Sequence, residues 1–347
     1  MGPLSLNWWT ADDARMTVWN NHRMTTDVPT QQAPVLCLGE ALVDVVRRPG
    51  KEPSEHVGGS PLNVACVLSQ LGHDATIGAW WGRDDRGAAI DQQAADNGVH
   101  VVPGSDGAER TSVAYANLDD QGRARYDFDL LWELPPLTDL DQLAHLHTGS
   151  IAATLEPGGS QVVEAARAAR GNATVSYDPN IRPTLMESPE AVMARVEELV
   201  VLSDVVKVSD EDLEWLFPGT PVEDIMRRWS TMGPALVVVT RGPWGAYARL
   251  ANNRDMLVVD QMSVELADTV GAGDSFMGGL LSGLLDAGLL GSREAAERLA
   301  SAGWNEVQPA LHRAVITSGL TVSRAGAHAP TRQEIDAAIQ ADPSLGD

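Results

Sequence analysis

The chain has 347 residues and only two cysteines, Cys37 and Cys66. Two thiols with no CxxC spacing exclude a disulfide framework and a cysteine-based zinc centre; they read as buried, reduced thiols. Lysine is as scarce: Lys51 and Lys207 are the only two. With 48 acidic against 25 basic side chains, the formal charge is -23. No basic run supplies the cations that displace counterions from nucleic acid or attract the chain to anionic lipid, so neither partner is expected. Long apolar runs are missing too. A membrane span needs about 18 such residues, and the richest stretch, Phe276 to Leu285, is broken by Gly278, Gly279, Ser282 and Gly283. It reads as a buried helix. The N-terminus lacks the basic-then-apolar order of a signal peptide, so a cytoplasmic location is expected. What remains is 44% hydrophobic and 21% charged, the balance of a globular chain of one large domain or two.

Residues 1–33 show neither helical nor strand period, and read as a disordered N-terminal extension; Met16 and Met24 offer alternative starts. From Pro34 the pattern changes. Val35 to Leu38 is a short apolar run ending in Gly39, as in a buried strand. Ser60-Pro61 reads as an N-cap followed by proline in the first turn of a helix that Gly72 ends. Strand and helix signals then alternate. Strands are expected near 75–79, 99–102, 143–150, 173–177, 205–208 and 236–240, with two more near 245–250 and 256–259. Helices are expected over 86–97, 160–170, from Pro189, from a capping box at Thr220–Glu223, and over 271–287, 292–304 and 309–320. Such alternation predicts an α/β fold, a mostly parallel sheet covered by helices on both faces. Two strand-like excursions, about 45–57 and 109–132, do not fit that sheet and suggest a separate small β lid. Its edges offer a surface for a homodimer.

The stretch Asp268-Thr269-Val270-Gly271-Ala272-Gly273-Asp274 leads directly into the apolar helix. Amides at a helix start have no internal acceptor, glycines let an anion approach, and the helix dipole adds positive charge. Asp274 in the first turn is either an N-terminal acid of structural value or a base beside an anion hole. Two rival glycine motifs fail. Neither lysine stands in a Walker A context, and a dinucleotide fingerprint needs glycine where Phe276 stands. His145 and His147 share one face of a strand, but no third ligand has suitable spacing for a metal.

Gly271-Ala272-Gly273-Asp274 resembles the second signature of the ribokinase-like (PfkB) carbohydrate kinases. Gly58-Gly59-Ser60-Pro61-Leu62-Asn63-Val64-Ala65 resembles the first, about 210 residues earlier, in a form similar to fructokinases. The resemblance covers about 34–330 and leaves 331–347 as a C-terminal segment. It implies a three-layer α/β/α kinase that uses ATP and Mg²⁺, with potassium as a bound monovalent cation. Asp274 would be the general base, and Gly271, Ala272 and Gly273 the anion hole. Asp44, Gly58, Gly59 and Asn63 would hold the sugar, joined by Arg182 of the fructokinase-like segment Asp178-Pro179-Asn180-Ile181-Arg182. Thr240, Gly242 and Gly245 resemble the nucleotide turn. Asp268 and the carbonyl of Val270 resemble the monovalent-cation site. The family's NxxE is altered: Ser209 stands for the Asn and Asp212 for the Glu, so Asp212, with Glu211 as alternative, is the implied Mg²⁺ carboxylate. Fructose is the expected acceptor at its 6-hydroxyl. A 2-keto-3-deoxygluconate kinase or a ribokinase stands next, and a non-catalytic sugar sensor is the alternative from another class.

Overall fold

The computed structural model describes residues 34–119 and 124–346. The expected N-terminal extension, 1–33, lies outside the described residues, as does the tip of the expected ribbon. In chain order the first half runs β1 (Val35–Leu38), β2 (Leu42–Arg47), β3 (Ser54–Gly58), α1 (Ser60–Gln70), β4 (Ala75–Gly78), α2 (Asp85–Asp96), β5 (His100–Val101), β6 (Val113–Leu118) and β7 (Ala124–Asp129). Then follow β8 (His145–Gly149), α3 (Gly158–Ala169), β9 (Thr174–Asp178), α4 (Pro189–Leu202), β10 (Val205–Ser209), α5 (Asp210–Leu216), α6 (Val222–Ser230) and β11 (Leu236–Thr240). The chain closes with β12 (Ala246–Leu250), β13 (Met256–Val259), α7 (Ala272–Asp286), α8 (Arg293–Ser301), α9 (Trp304–Val322) and α10 (Arg332–Ala341).

Nine strands form one sheet in the order β13-β12-β11-β10-β9-β8-β1-β4-β5. From β11 to β5 all neighbours are parallel, while β12 and β13 return antiparallel. β1, β8, β9, β10 and β11 are buried along almost their whole length, as strands covered on both faces must be. The chain leaves β1 toward β4 and β5, then restarts at β8 and runs the other way. The order therefore reverses between β1 and β8, and the crevice at the carboxyl ends of those strands is where such sheets bind ligands.

The second sheet, β3-β2-β6-β7, takes up the two excursions that the sequence set apart as an expected lid. It spans 42–58 and 113–129, wider at the first excursion and narrower at the second than the sequence suggested. Val43, Val45 and Val113 form its own small apolar cluster, with Val57 and Tyr115 against it. Alternation along β2 puts Asp44 on the opposite face.

Three local readings are corrected. Ser60 is already helical; Gly59, at φ 120°, is the N-cap, and Ser60 makes no capping bond. Thr220 forms no capping box, because α6 starts after Pro221 without any side-chain cap. The helix expected from Pro309 begins at Trp304, with the Glu306 carboxylate accepting from the Gly303 N–H at 2.8 Å. Proline marks a helix start only when it sits in the first turn, and Pro309 lies one turn further in. Residues 331–346 are part of the same body: Thr331 caps α10, and Arg332 reaches the Leu71 carbonyl at the end of α1.

Candidate active site

α7 fixes the geometry. Gly271 precedes it at φ 74°, a left-handed conformation, and a Cβ there would stand 3.0 Å from Ala327 Cα. Only glycine meets both conditions. Beyond this turn, the N–H groups of Gly271, Gly273 and Asp274 have no acceptor among the described residues; Ala272 donates a long bond, 3.3 Å, to the Thr269 carbonyl. The free donors are thus 271, 273 and 274 more than 272, a small change from the expected 271–273. Three unpaired amides at the positive end of a helix are the donor set that an anion site needs.

Asp274 is buried to 9% exposure and takes one hydrogen bond on each oxygen. Ser60 Oγ donates to Oδ1 at 2.6 Å, and Asn63 Nδ2 to Oδ2 at 2.8 Å. The first glycine signature therefore meets the second across 211 residues. Asn63 Oδ1 is buried and has no donor, an acceptor left for a ligand hydroxyl. Gly59 lets the start of α1 press onto the backbone of Glu40 and Ala41, where a Cβ would collide. Gly58 likewise leaves room for the Asp44 carboxylate beside it.

The DPN segment begins at the last residue of β9. Asn180 stands at φ 39°, and Arg182 Nη1 donates to its side-chain oxygen at 2.7 Å. Arg182 is exposed, and its charge reaches both Asp44 and Glu40. Burial raises the Asp44 carboxyl, opposed by Arg182 and His56, although the residue still meets solvent. Glu40, in the link from β1 to the lid, is pushed up to about 7, chiefly by burial. Its Oε2 accepts from Ala152 N at 3.2 Å.

Behind Gly273 lies a pair that sequence reasoning missed. Lys207 Nζ meets Asp178 Oδ2 at 2.7 Å, with side chains 5% and 1% exposed. Burial holds the Asp178 carboxyl up at about 6, against the pull of Lys207. A charged residue in a strand otherwise made of valine and serine was the available signal. Ser60 gave none, because Ser-Pro before an apolar helix reads as a cap.

The remaining predicted residues fall into two groups. Asp268 accepts from Val270 N at 3.1 Å and from Gly326 N at 2.9 Å, bonds that hold its carboxyl below the ordinary range. The loop around Gly326 and Ala327 thus joins the expected cation site, without any sequence signal. Thr240, Gly242 and Gly245 form the turn after β11, in register with Ser209 of β10. No hydrogen bond among the described residues links that turn to Asp274, so the two share the sheet edge rather than one cluster.

Asp212 is spoken for by the backbone. It forms a reciprocal cap with Ser209 and also accepts from Ile181 N at 3.0 Å. Glu211 is exposed. Among the described residues no three His, Cys, Asp or Glu side chains cluster to hold a metal. The donors do not make a protein cage for Mg²⁺. His145 and His147 are fully buried, and both bond the Ser176 hydroxyl, at 2.8 and 2.9 Å. No described helix is long and apolar enough to cross a membrane.

Comparison with known proteins supplies the family. The family described as pfkB family carbohydrate kinase matches residues 32–334. A fructokinase of Escherichia coli is 30% identical over 318 residues, 88% of this chain and 98% of its own. A fructokinase of Vibrio alginolyticus is 31% identical over 255 residues, 70% and 81% of the two chains. A double mutant of the Vibrio cholerae O395 fructokinase, solved with fructose, ADP and a potassium ion, superimposes at a TM-score of 0.70 and 26% identity. It covers 88% of this chain and 98% of its own. The ATP-bound fructokinase of Xylella fastidiosa gives 0.76 at 23% identity, over 89% and 99%, which speaks for the fold. A helix start with free amides, a buried carboxylate joined to the di-glycine helix and a family match over most of its length place this chain in the pfkB family of carbohydrate kinases, as an ATP-dependent sugar kinase.

Proposed function

We propose that the acceptor is fructose, phosphorylated at its 6-hydroxyl, and that Asp274 is the general base. The observation that carries this reading is the pair of bonds from Ser60 and Asn63 to Asp274 beside three free amides. They put a fixed carboxylate, a hydroxyl-binding amide and an anion site within one side chain's reach. Asp274 takes the proton of the acceptor hydroxyl. The hydroxyl oxygen bonds to the γ-phosphorus as the bond to the β,γ-bridging oxygen breaks, and ADP leaves with that electron pair. The amides at the start of α7 face the charge on the transferring phosphoryl group.

Asp44, Gly58, Gly59, Asn63 and Arg182 surround the sugar in this reading. The lid that carries Asp44 keeps water from the phosphoryl group. Thr240, Gly242 and Gly245 hold the nucleotide, and Asp268 with the Val270 carbonyl holds a monovalent cation. Asp212 would be the carboxylate to hold a divalent ion through water, and such an ion would supply neutralisation of phosphate charge. Several relatives at about 30% identity bear the name fructokinase, which supports fructose over ribose and 2-keto-3-deoxygluconate.

A sugar panel with coupled ADP detection tests the substrate: fructose is expected to give the highest kcat/KM. Turnover of 2-keto-3-deoxygluconate or ribose with none of fructose would overturn the choice. For the base, Asp274→Asn should fold and bind fructose, with kcat reduced about 10²–10⁴-fold. Near-wild-type turnover in that variant rejects the mechanism.

A further inference from the structure

Lys207 is one of two lysines in 347 residues, and it sits in a central parallel strand with its side chain 5% exposed. Such a position ordinarily takes a β-branched apolar residue. A buried ammonium carries a large desolvation cost that a single partner offsets only in part. Nζ has three N–H donors. Among the described residues its one acceptor is Asp178 Oδ2, at 2.7 Å. The rest of the ammonium faces the start of α7: a Cβ built on Gly273 would stand 3.0 Å from Nζ. Gly273 has no Cβ, so the charge lies directly behind the anion site. Asp178 senses the charges of Asp212 and Asp274 as well as that of Lys207, which puts all four groups in one neighbourhood. Its second oxygen, Oδ1, is buried with no donor.

We propose that Lys207 is a further catalytic residue for this kinase. Its free N–H groups donate to an oxygen of the γ-phosphoryl group held at the start of α7, and Asp178 is the positioning residue that aims the ammonium. The proposal rests on the phosphoryl-transfer reading above and adds a cation to an anion site otherwise made of backbone. The proton of the acceptor hydroxyl goes to Asp274, the new bond is oxygen to γ-phosphorus, and the bond broken is γ-phosphorus to the bridging oxygen. The ammonium draws closer as negative charge gathers on the phosphoryl oxygens. Because it meets the γ-phosphate and not the β-phosphate, it also separates ATP from ADP.

Lys207→Met alone leaves a buried carboxylate without its partner, so the informative variant is Lys207→Met with Asp178→Asn, which removes both charges at similar volume. Circular dichroism and the dissociation constants for fructose and ADP are expected to stay within about threefold of wild type. The expected losses are about 10²–10³-fold in kcat and most of any preference for a non-hydrolysable ATP analogue over ADP. Asp274→Asn is expected to lose turnover and keep that preference. A double variant that turns over within about fivefold of wild type, or keeps the full preference, overturns the proposal. So does a double variant that fails to fold while Lys207→Arg retains wild-type kcat and preference, since the pair would then be structural. If the wild type phosphorylates no sugar, the sugar-kinase reading fails on its own, and the nucleotide affinities still decide the lysine.

Discussion

Asp274 is oriented before any substrate arrives, because Ser60 and Asn63 each hold one of its oxygens. A hydrogen bond to a charged group contributes about 1.5–3 kcal/mol. Losing the Ser60 bond frees the carboxylate to rotate away from the acceptor hydroxyl. Ser60→Ala is expected to lower kcat about tenfold with KM for ATP unchanged, and Ser60→Thr to restore most of it. Equal kcat in Ser60→Ala would leave Ser60 a plain helix-terminal residue. The bond also explains why Ser60 was misread. Its sequence neighbours predict a capping role, but Gly59 takes the left-handed backbone and frees the hydroxyl for a carboxylate 214 positions away.

At the scale of elements, the anion site depends on how closely α7 is clamped. Gly279 and Gly283 turn their bare faces to α9: a Cβ at Gly283 would stand 2.5 Å from Ala310 Cα, and one at Gly279 2.6 Å from Thr317 Oγ1. Gly278 meets Val67 of α1 in the same way, at 2.5 Å. Three glycines in one helix lose intrinsic helix propensity, yet they let the backbone of α9 and the Val67 side chain of α1 press onto the backbone of α7. Gly283→Ala gains up to about 1 kcal/mol of propensity and meets about 1–3 kcal/mol of overpacking. The expected net effect is destabilisation by about 1 kcal/mol, read as a lower urea midpoint at unchanged m-value. A stabilised variant would mean that α9 gives way freely. The breaks that rule out a membrane span in Phe276–Leu285 are therefore packing surfaces.

For the molecule as a whole, Glu40 sits where the chain passes from the main sheet to the lid, and its exposure is 7%. Its carboxyl is raised from 4.5 to about 7 by burial. Between those values the folded state holds a proton that the unfolded chain has released. Its contribution to stability is therefore present below about pH 4.5 and lost as pH rises to about 7, an effect of up to about 3 kcal/mol. Glu40→Gln is expected to flatten the fall in melting temperature across that window. An unchanged slope would assign the fall to other groups, with Asp178 the first to examine. The net charge of -23 belongs to this scale too. It describes the solvated surface, whereas the proposed anion site draws its positive character locally, from helix-start amides and the buried Lys207 behind them.

Sequence alone determined the alternation of strands and helices, the order of the two glycine signatures and the place of Asp274 in the first turn of an apolar helix. Each is written in short-range pattern: periodicity, turn residues, or a glycine run before an apolar helix. Only the tertiary structure decided that Ser60 belongs to Asp274, that the Gly326 loop completes the Asp268 turn, and that Lys207 lies behind Gly273. Those contacts join residues 58 to 214 positions apart. No local pattern encodes them, because they are set by which strand ends the sheet order brings together at its reversal between β1 and β8.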